Sequence, residues 1–143
     1  MPKSCTYVYV HFVWATWDRQ PFITPDIEEP IYQCIAEKCH ELQCGLLVIG
    51  GIADHVHVLA RLHPTVSIAK LAKGMKGGSS HLMTHMIKQA TPFRWQGCYG
   101  AFSVSQSHVR SVNDYIKHQK QRHAQDKLWP LLETCEEYAD PNL

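Results

Sequence analysis

Leu46-Leu47-Val48-Ile49-Gly50-Gly51-Ile52-Ala53-Asp54-His55-Val56-His57-Val58-Leu59-Ala60-Arg61-Leu62 is the stretch on which the fold turns. Its two apolar runs, 46–49 and 56–62, are separated by Gly50-Gly51 and Asp54, which reads as two antiparallel strands joined by a short turn. Upstream, Ile27, Ile31, Ile35 and Leu42 recur at helical spacing. Pro25 and Pro30 lie at the start of that helix, and Gly45 supplies its stop. Further upstream, Ser4 to Thr16 is rich in Tyr, Val, Phe and Trp on both alternating sets and predicts a strand covered on both faces, central in its sheet. Downstream, Thr65 or Ser67 caps a second helix carrying Ile68, Leu71, Met75, Leu82 and Met86, which Gly77-Gly78 is expected to weaken or kink. Cys98 to Ser105 reads as a fourth strand. Val109, Val112 and Ile116 mark a last helix from Ser107 to about Gln125, ahead of an acidic tail. The order βαββαβα predicts an α+β, ferredoxin-like (split βαβ, RRM-like) antiparallel sheet, with helices on one face and an extra C-terminal helix.

At 143 residues, with 45% hydrophobic and 19% charged side chains, the chain fits one domain spanning 1–143 with enough apolar material for a core. The longest nearly apolar stretch, Cys44 to Ala53, is half of the ~20 residues that a membrane span needs, so no membrane association is expected. The N-terminus has no apolar segment of secretory type, which points to the cytoplasm. The six cysteines therefore read as thiols, and without a CxxC pair they give no zinc motif. Net charge is only +1, yet it is segregated: residues 61–127 hold eleven basic against two acidic side chains, a local +9, and the remainder carries −8. Such asymmetry suits a polyanion bound on one side of a small domain, and equally a set of solvated helix faces.

Two places carry side chains with chemical potential. His55 and His57, two apart on a strand, point to one face with Cα atoms about 6.6 Å apart and can grip one divalent ion. Asp54 can add a carboxylate to that ion or hold a ligand histidine from behind. Alternate strand histidines are also common as plain polar groups. On the last helix, Tyr115 and Gln119 are four apart and share a face beside the Val109/Val112/Ile116 stripe. Packed at the sheet edge where His55 and His57 emerge, Gln119 would be an oxygen ligand and Tyr115 a nucleophile. The alternative is an amphipathic tyrosine at a helix–sheet boundary. His81 and His85 lack a third partner and read as surface histidines, and Tyr7, Tyr9, Phe12 and Trp14 read as core rather than base-stacking residues. No Gly-rich phosphate loop, Ser-His-Asp order or Cys-His nucleophile pattern stands out.

Together with the chain order around them, these segments resemble the single-tyrosine transposases of the HUH superfamily, the small insertion-sequence and REP-associated tyrosine transposases. The resemblance runs through His11-Phe12-Val13-Trp14-Ala15-Thr16 with Arg19, Ala53 to Leu59, Leu71-Ala72-Lys73-Gly74-Met75-Lys76-Gly77, Trp95 to Ser105, and Tyr115-Ile116-Lys117-His118-Gln119. It implies a DNA transposase with a metal pair at His55 and His57, a third ligand at Gln119 and a nucleophile at Tyr115. The implied reaction is metal-dependent cleavage and rejoining of single-stranded DNA through a 5′-phosphotyrosine, with Mg²⁺ or Mn²⁺. The implied substrate is a hairpin-containing insertion-sequence end, and the implied assembly is a homodimer whose tyrosine helix serves its own or its partner's metal site. Arg61, Lys70, Lys73 and Lys76 are the candidate phosphate contacts. Members of the family often carry a His-His pair shortly after the glutamine, where this chain has Arg122-His123. The competing expectation is a non-catalytic relative that binds hairpins on the same fold.

Overall fold

The computed structural model describes residues 4–87, 93–125 and Leu128. The acidic C-terminal tail and Cys135 lie outside the described residues. Four strands, β1 (Tyr9–Ala15), β2 (Gly45–Ile52), β3 (His55–Arg61) and β4 (Gly100–Val104), form one sheet in the order β2-β3-β1-β4, with every pair antiparallel. Helix α1 (Pro25–Glu41) joins β1 to β2, and α2 (Ile68–His81) lies between β3 and β4. β1 is central, as its two apolar sets require. Val10, Phe12 and Trp14 join Val56, Val58 and Ala60 against Ile27, Ile31 and Ile35 of α1 and Leu71 and Met75 of α2. The other set faces the opposite side, where helix α3 (Val109–Lys117) lays Val112, Tyr115 and Ile116 on Leu59 and Val104. Helices α1 and α2 thus share one face of the sheet, and α3 covers the other.

Several boundaries differ from expectation for local reasons. Gly50 and Gly51 are inside β2, and the turn is Ala53-Asp54, since Ile52 already pairs with His55. At Gly50 the reason is tertiary: a Cβ there would stand 2.9 Å from the carbonyl carbon of Ile116, so only glycine lets the α3 backbone rest on the strand. Helix α1 stops at Gln43, which takes the left-handed conformation (φ 59°), while the amides of Gln43 and Cys44 donate to the carbonyls of His40 and Cys39. Gly45 opens β2 instead of ending the helix. Ser67 is the cap of α2, its hydroxyl accepting from the Lys70 amide at 3.0 Å. Helix α2 runs unbroken through Gly77-Gly78, and Gly78 fits against the Lys38 side chain, where a Cβ would lie 2.7 Å from Cε. The irregularity comes later, as a π turn over Leu82–Met86. The last helix is also two pieces: α3 ends at Lys117, His118 breaks the run (φ −106°, ψ 29°), and α4 spans Gln119–Ala124. The His118 ring donates through Nδ1 to the Asp114 carbonyl at 2.8 Å, a carbonyl that also receives the His118 amide.

Cys39, fully buried where α1 meets α2, has its Sγ 3.7 Å from the Met75 sulfur. Burial, with a smaller contribution from neighbouring Cys44, pushes its thiol up from 9.0 to about 12. The folded-state value exceeds the unfolded one, so the resulting stability is present below pH 9 and is lost as pH rises towards 12. We expect stability measured by urea unfolding to fall across pH 9–12, less steeply in Cys39→Ala, and Cys39 to resist alkylation at pH 8.5 while exposed Cys5 reacts.

Candidate metal and nucleophile site

The β-hairpin and the broken C-terminal helix bring their polar side chains together on the α3 face of the sheet. In the β1–β3 register, Val13 pairs with His57 and Ala15 with His55, so both histidines share that face with His11. Gly50 pairs with His57 on the other side, and on Gly50 sits the backbone of Ile116. The side chains flanking Ile116 are thereby set over the histidines. The Tyr115 ring stands edge-on to His57, centroids 6.0 Å apart, and the Gln119 Oε1 lies 3.4 Å from His55 Nε2. The tyrosine and glutamine thus occupy the face of the sheet, against the expectation of its edge, because Gly50, having no side chain, admits the helix backbone over the strand.

Each histidine is fixed through its far nitrogen. Asp54 Oδ1 is 2.7 Å from His55 Nδ1. The Asp54 carboxyl is held below the usual carboxylate range chiefly by this hydrogen bond, with the charges of His55, Arg19 and His123 adding to it against a desolvation cost. A carboxylate accepts, so His55 donates to Asp54 from Nδ1, and Nε2 is the nitrogen it turns to Gln119 and His123. His57 Nδ1 is 2.8 Å from Nε2 of His11 on β1, so Nε2 is the ring nitrogen with which His57 could hold a metal ion. Sequence reasoning passed over His11 as a partner because it lies 46 residues away and only the sheet register makes the pair. Gln119 donates through Nε2 to the Tyr115 carbonyl at 3.3 Å, which turns its Oε1 to the histidines. His123, one turn on, brings Nε2 to 3.2 Å from His55 Nε2 and 3.0 Å from Gln119 Oε1. Its four-residue spacing from Gln119, repeating that from Tyr115, was the signal available in the sequence.

Tyr115 is 0% exposed, with the Arg122 guanidinium 4.8 Å from its ring centre. Its hydroxyl can meet an external phosphate only once the α3–α4 segment shifts. Among the described residues no three His, Cys, Asp or Glu side chains converge to hold a metal ion. The convergence that exists includes an amide oxygen. Imidazole nitrogen with amide oxygen is a fitting donor set for a divalent ion of intermediate hardness.

The candidate phosphate contacts are not gathered at this site. Arg61 donates from Nε and Nη2 to the Thr6 carbonyl and covers the Tyr7 ring. Lys76 donates to the carbonyls of Gln96 and Cys98 at 2.7 and 3.0 Å. Lys70 and Lys73 are exposed on α2, across the sheet from the histidines. His81 and His85 stack on each other, centroids 4.5 Å apart, away from this cluster. Among the described residues no helix is long and apolar enough to cross a membrane.

Known proteins share this architecture. A Deinococcus radiodurans R1 protein whose crystal structure is described as that of a "putative transposase" superposes with a TM-score of 0.63 at 20% identity, over 89% of this chain and 96% of that one. The REP-associated tyrosine transposase bound to a REP hairpin superposes with a TM-score of 0.63 at 13% identity, over 91% of this chain and 81% of that one. At these identities the shared property is the α+β fold, a four-stranded antiparallel sheet with helices. The family model for IS200-like transposases matches residues 4–119. This chain belongs to the IS200-like transposase family. No match is found among curated proteins.

Proposed function

We propose that this transposase cleaves and rejoins single-stranded DNA through Tyr115, acting as a homodimer on hairpin-bearing ends of an insertion sequence. The observation that carries the reading is the meeting of His55, His57, Gln119 and Tyr115 on one buried patch of the sheet in a chain of this family. The hairpin substrate is supported by the structural neighbour that is bound to a REP hairpin.

His55, His57 and Gln119 would hold Mg²⁺ or Mn²⁺. Such an ion, when bound, supplies Lewis-acid relief of charge on a phosphate oxygen. In the cleavage step the Tyr115 oxygen forms a bond to phosphorus and the bond from phosphorus to the 3′-oxygen breaks. The products are a 5′-phosphotyrosine and a 3′-hydroxyl, the phenol proton having passed in net terms to the departing oxygen. One phosphodiester replaces another, so a second 3′-hydroxyl can reverse the step without a nucleotide cofactor. Asp54 and His11 keep the two histidines in the tautomer and orientation that ligation requires. Arg122 lies over the Tyr115 ring and brings a positive charge beside the nucleophile.

Incubation of the protein with labelled single-stranded hairpin pools in Mg²⁺, Mn²⁺ or chelator, followed by denaturing electrophoresis, tests the reading. A metal-dependent adduct is the expected result. DNA retardation on native gels without an adduct on any hairpin identifies a binding relative instead.

A further inference from the structure

His123 lies four residues beyond the family match, which ends at Gln119. In the fold it meets the site from above: His55 Nε2, Gln119 Oε1 and His123 Nε2 are separated by 3.4, 3.0 and 3.2 Å. Neighbouring ligands at about 2.1 Å from one divalent ion stand roughly 3.0 Å apart at right angles and roughly 3.4 Å apart at tetrahedral angles. All three separations fall in that window.

The three atoms are all of a kind that a cation accepts: one ring nitrogen from each histidine, and the Gln119 amide oxygen, whose amide nitrogen is turned away to the Tyr115 carbonyl. One divalent ion among them would meet all three at once and leave positions for phosphate and water.

We infer that His123 is itself a ligand of the metal centre, beside His55 and Gln119, and that it biases the centre towards Mn²⁺ over Mg²⁺. The inference rests on the proposed cleavage site and deepens it. Added imidazole nitrogen favours the softer ion, because Mg²⁺ takes oxygen ligands and gives up water reluctantly. Gln119 and His123 are one turn apart on α4, so a helix that seats one seats the other.

The test is metal binding by the full chain without DNA, with Mn²⁺ and Mg²⁺ affinities measured by calorimetry and by the electron paramagnetic resonance signal of unbound Mn²⁺. His123→Ala is expected to weaken Mn²⁺ at least about 10-fold, the scale on which even supporting partners act, and to change Mg²⁺ far less. His123→Asp is expected to retain Mn²⁺ and strengthen Mg²⁺, an outcome that a merely structural histidine does not produce. Melting curves of both variants check folding. Mn²⁺ affinity in His123→Ala within twofold of the unsubstituted chain, with loss in His55→Ala, overturns the inference and leaves the cleavage reading standing. Absence of Mn²⁺ binding by the unsubstituted chain overturns the inference together with the metal centre.

Discussion

Tyr115→Phe is expected to abolish the covalent protein–DNA adduct and to lower hairpin cleavage at least about 10³-fold, the scale of loss when a covalent nucleophile is removed. Phenylalanine keeps the ring that packs with Val112, Ile116 and Leu59. The stability cost is therefore that of a hydroxyl, about 1 kcal/mol, and native-gel retardation of the hairpin persists. Alanine is the wrong probe, since emptying a fully buried tyrosine site costs about 3–5 kcal/mol and confounds chemistry with folding. Adduct surviving in Tyr115→Phe would move the nucleophile to another residue and leave the His55/His57 patch without its proposed partner.

Gly50→Ala is the second large effect, and it touches no reactive group. A Cβ at this position would stand 2.9 Å from the Ile116 carbonyl carbon and 3.1 Å from its Cγ2, while the carbonyl oxygen lies closer still. The obstacle is backbone, so relief requires the α3–α4 junction to lift from β2, carrying Tyr115 and Gln119 away from the histidines. We expect a stability loss of about 1–3 kcal/mol and loss of adduct and of Mn²⁺ affinity by at least about 10-fold. Gly77→Ala is the control: nothing lies within 4 Å of its Cβ, and an exposed helix interior gains up to about 1 kcal/mol from the change. An unaltered metal affinity in Gly50→Ala would show that the helix is not seated by this contact.

The element order and the two cores were legible because they rest on periodicity. Val10, Phe12 and Trp14 against His11, Val13 and Ala15 state a two-faced strand outright, and Ile27, Ile31 and Ile35 state a helix stripe. The His55/His57 pair was legible for the same reason, as a period of two fixes which side chains share a face. Glycine was not. Gly50-Gly51 has the composition of a turn and is strand, with Gly50 under a helix backbone whose residues lie more than sixty positions away and Gly51 against His55 and Val56 of the paired strand. Likewise the stop of α1 fell to Gln43, a residue without glycine's freedom, and the break at His118 depends on one ring finding the Asp114 carbonyl. Charge was the least telling signal: Arg61 and Lys76 read as phosphate contacts, and both donate to backbone carbonyls in the fold. His11 and His123 gained their partners only through register and helix docking.

The two faces of the sheet are covered unequally. One carries two long helices on a broad apolar layer, and the other is capped by α3 through buried Val112, Tyr115 and Ile116 with partly buried Val109 beside them. Regions with few buried apolar contacts open at a fraction of the global unfolding free energy, so the thin side can lift while the thick side stays intact. On the cleavage reading, a sealed tyrosine reacts only in the molecules that are open at a given moment, and the observed rate is the chemical rate multiplied by that fraction. The small number of side chains under α3 would then act as a throttle: an additional methyl group there slows strand cutting by lengthening the wait, with every reactive atom unchanged.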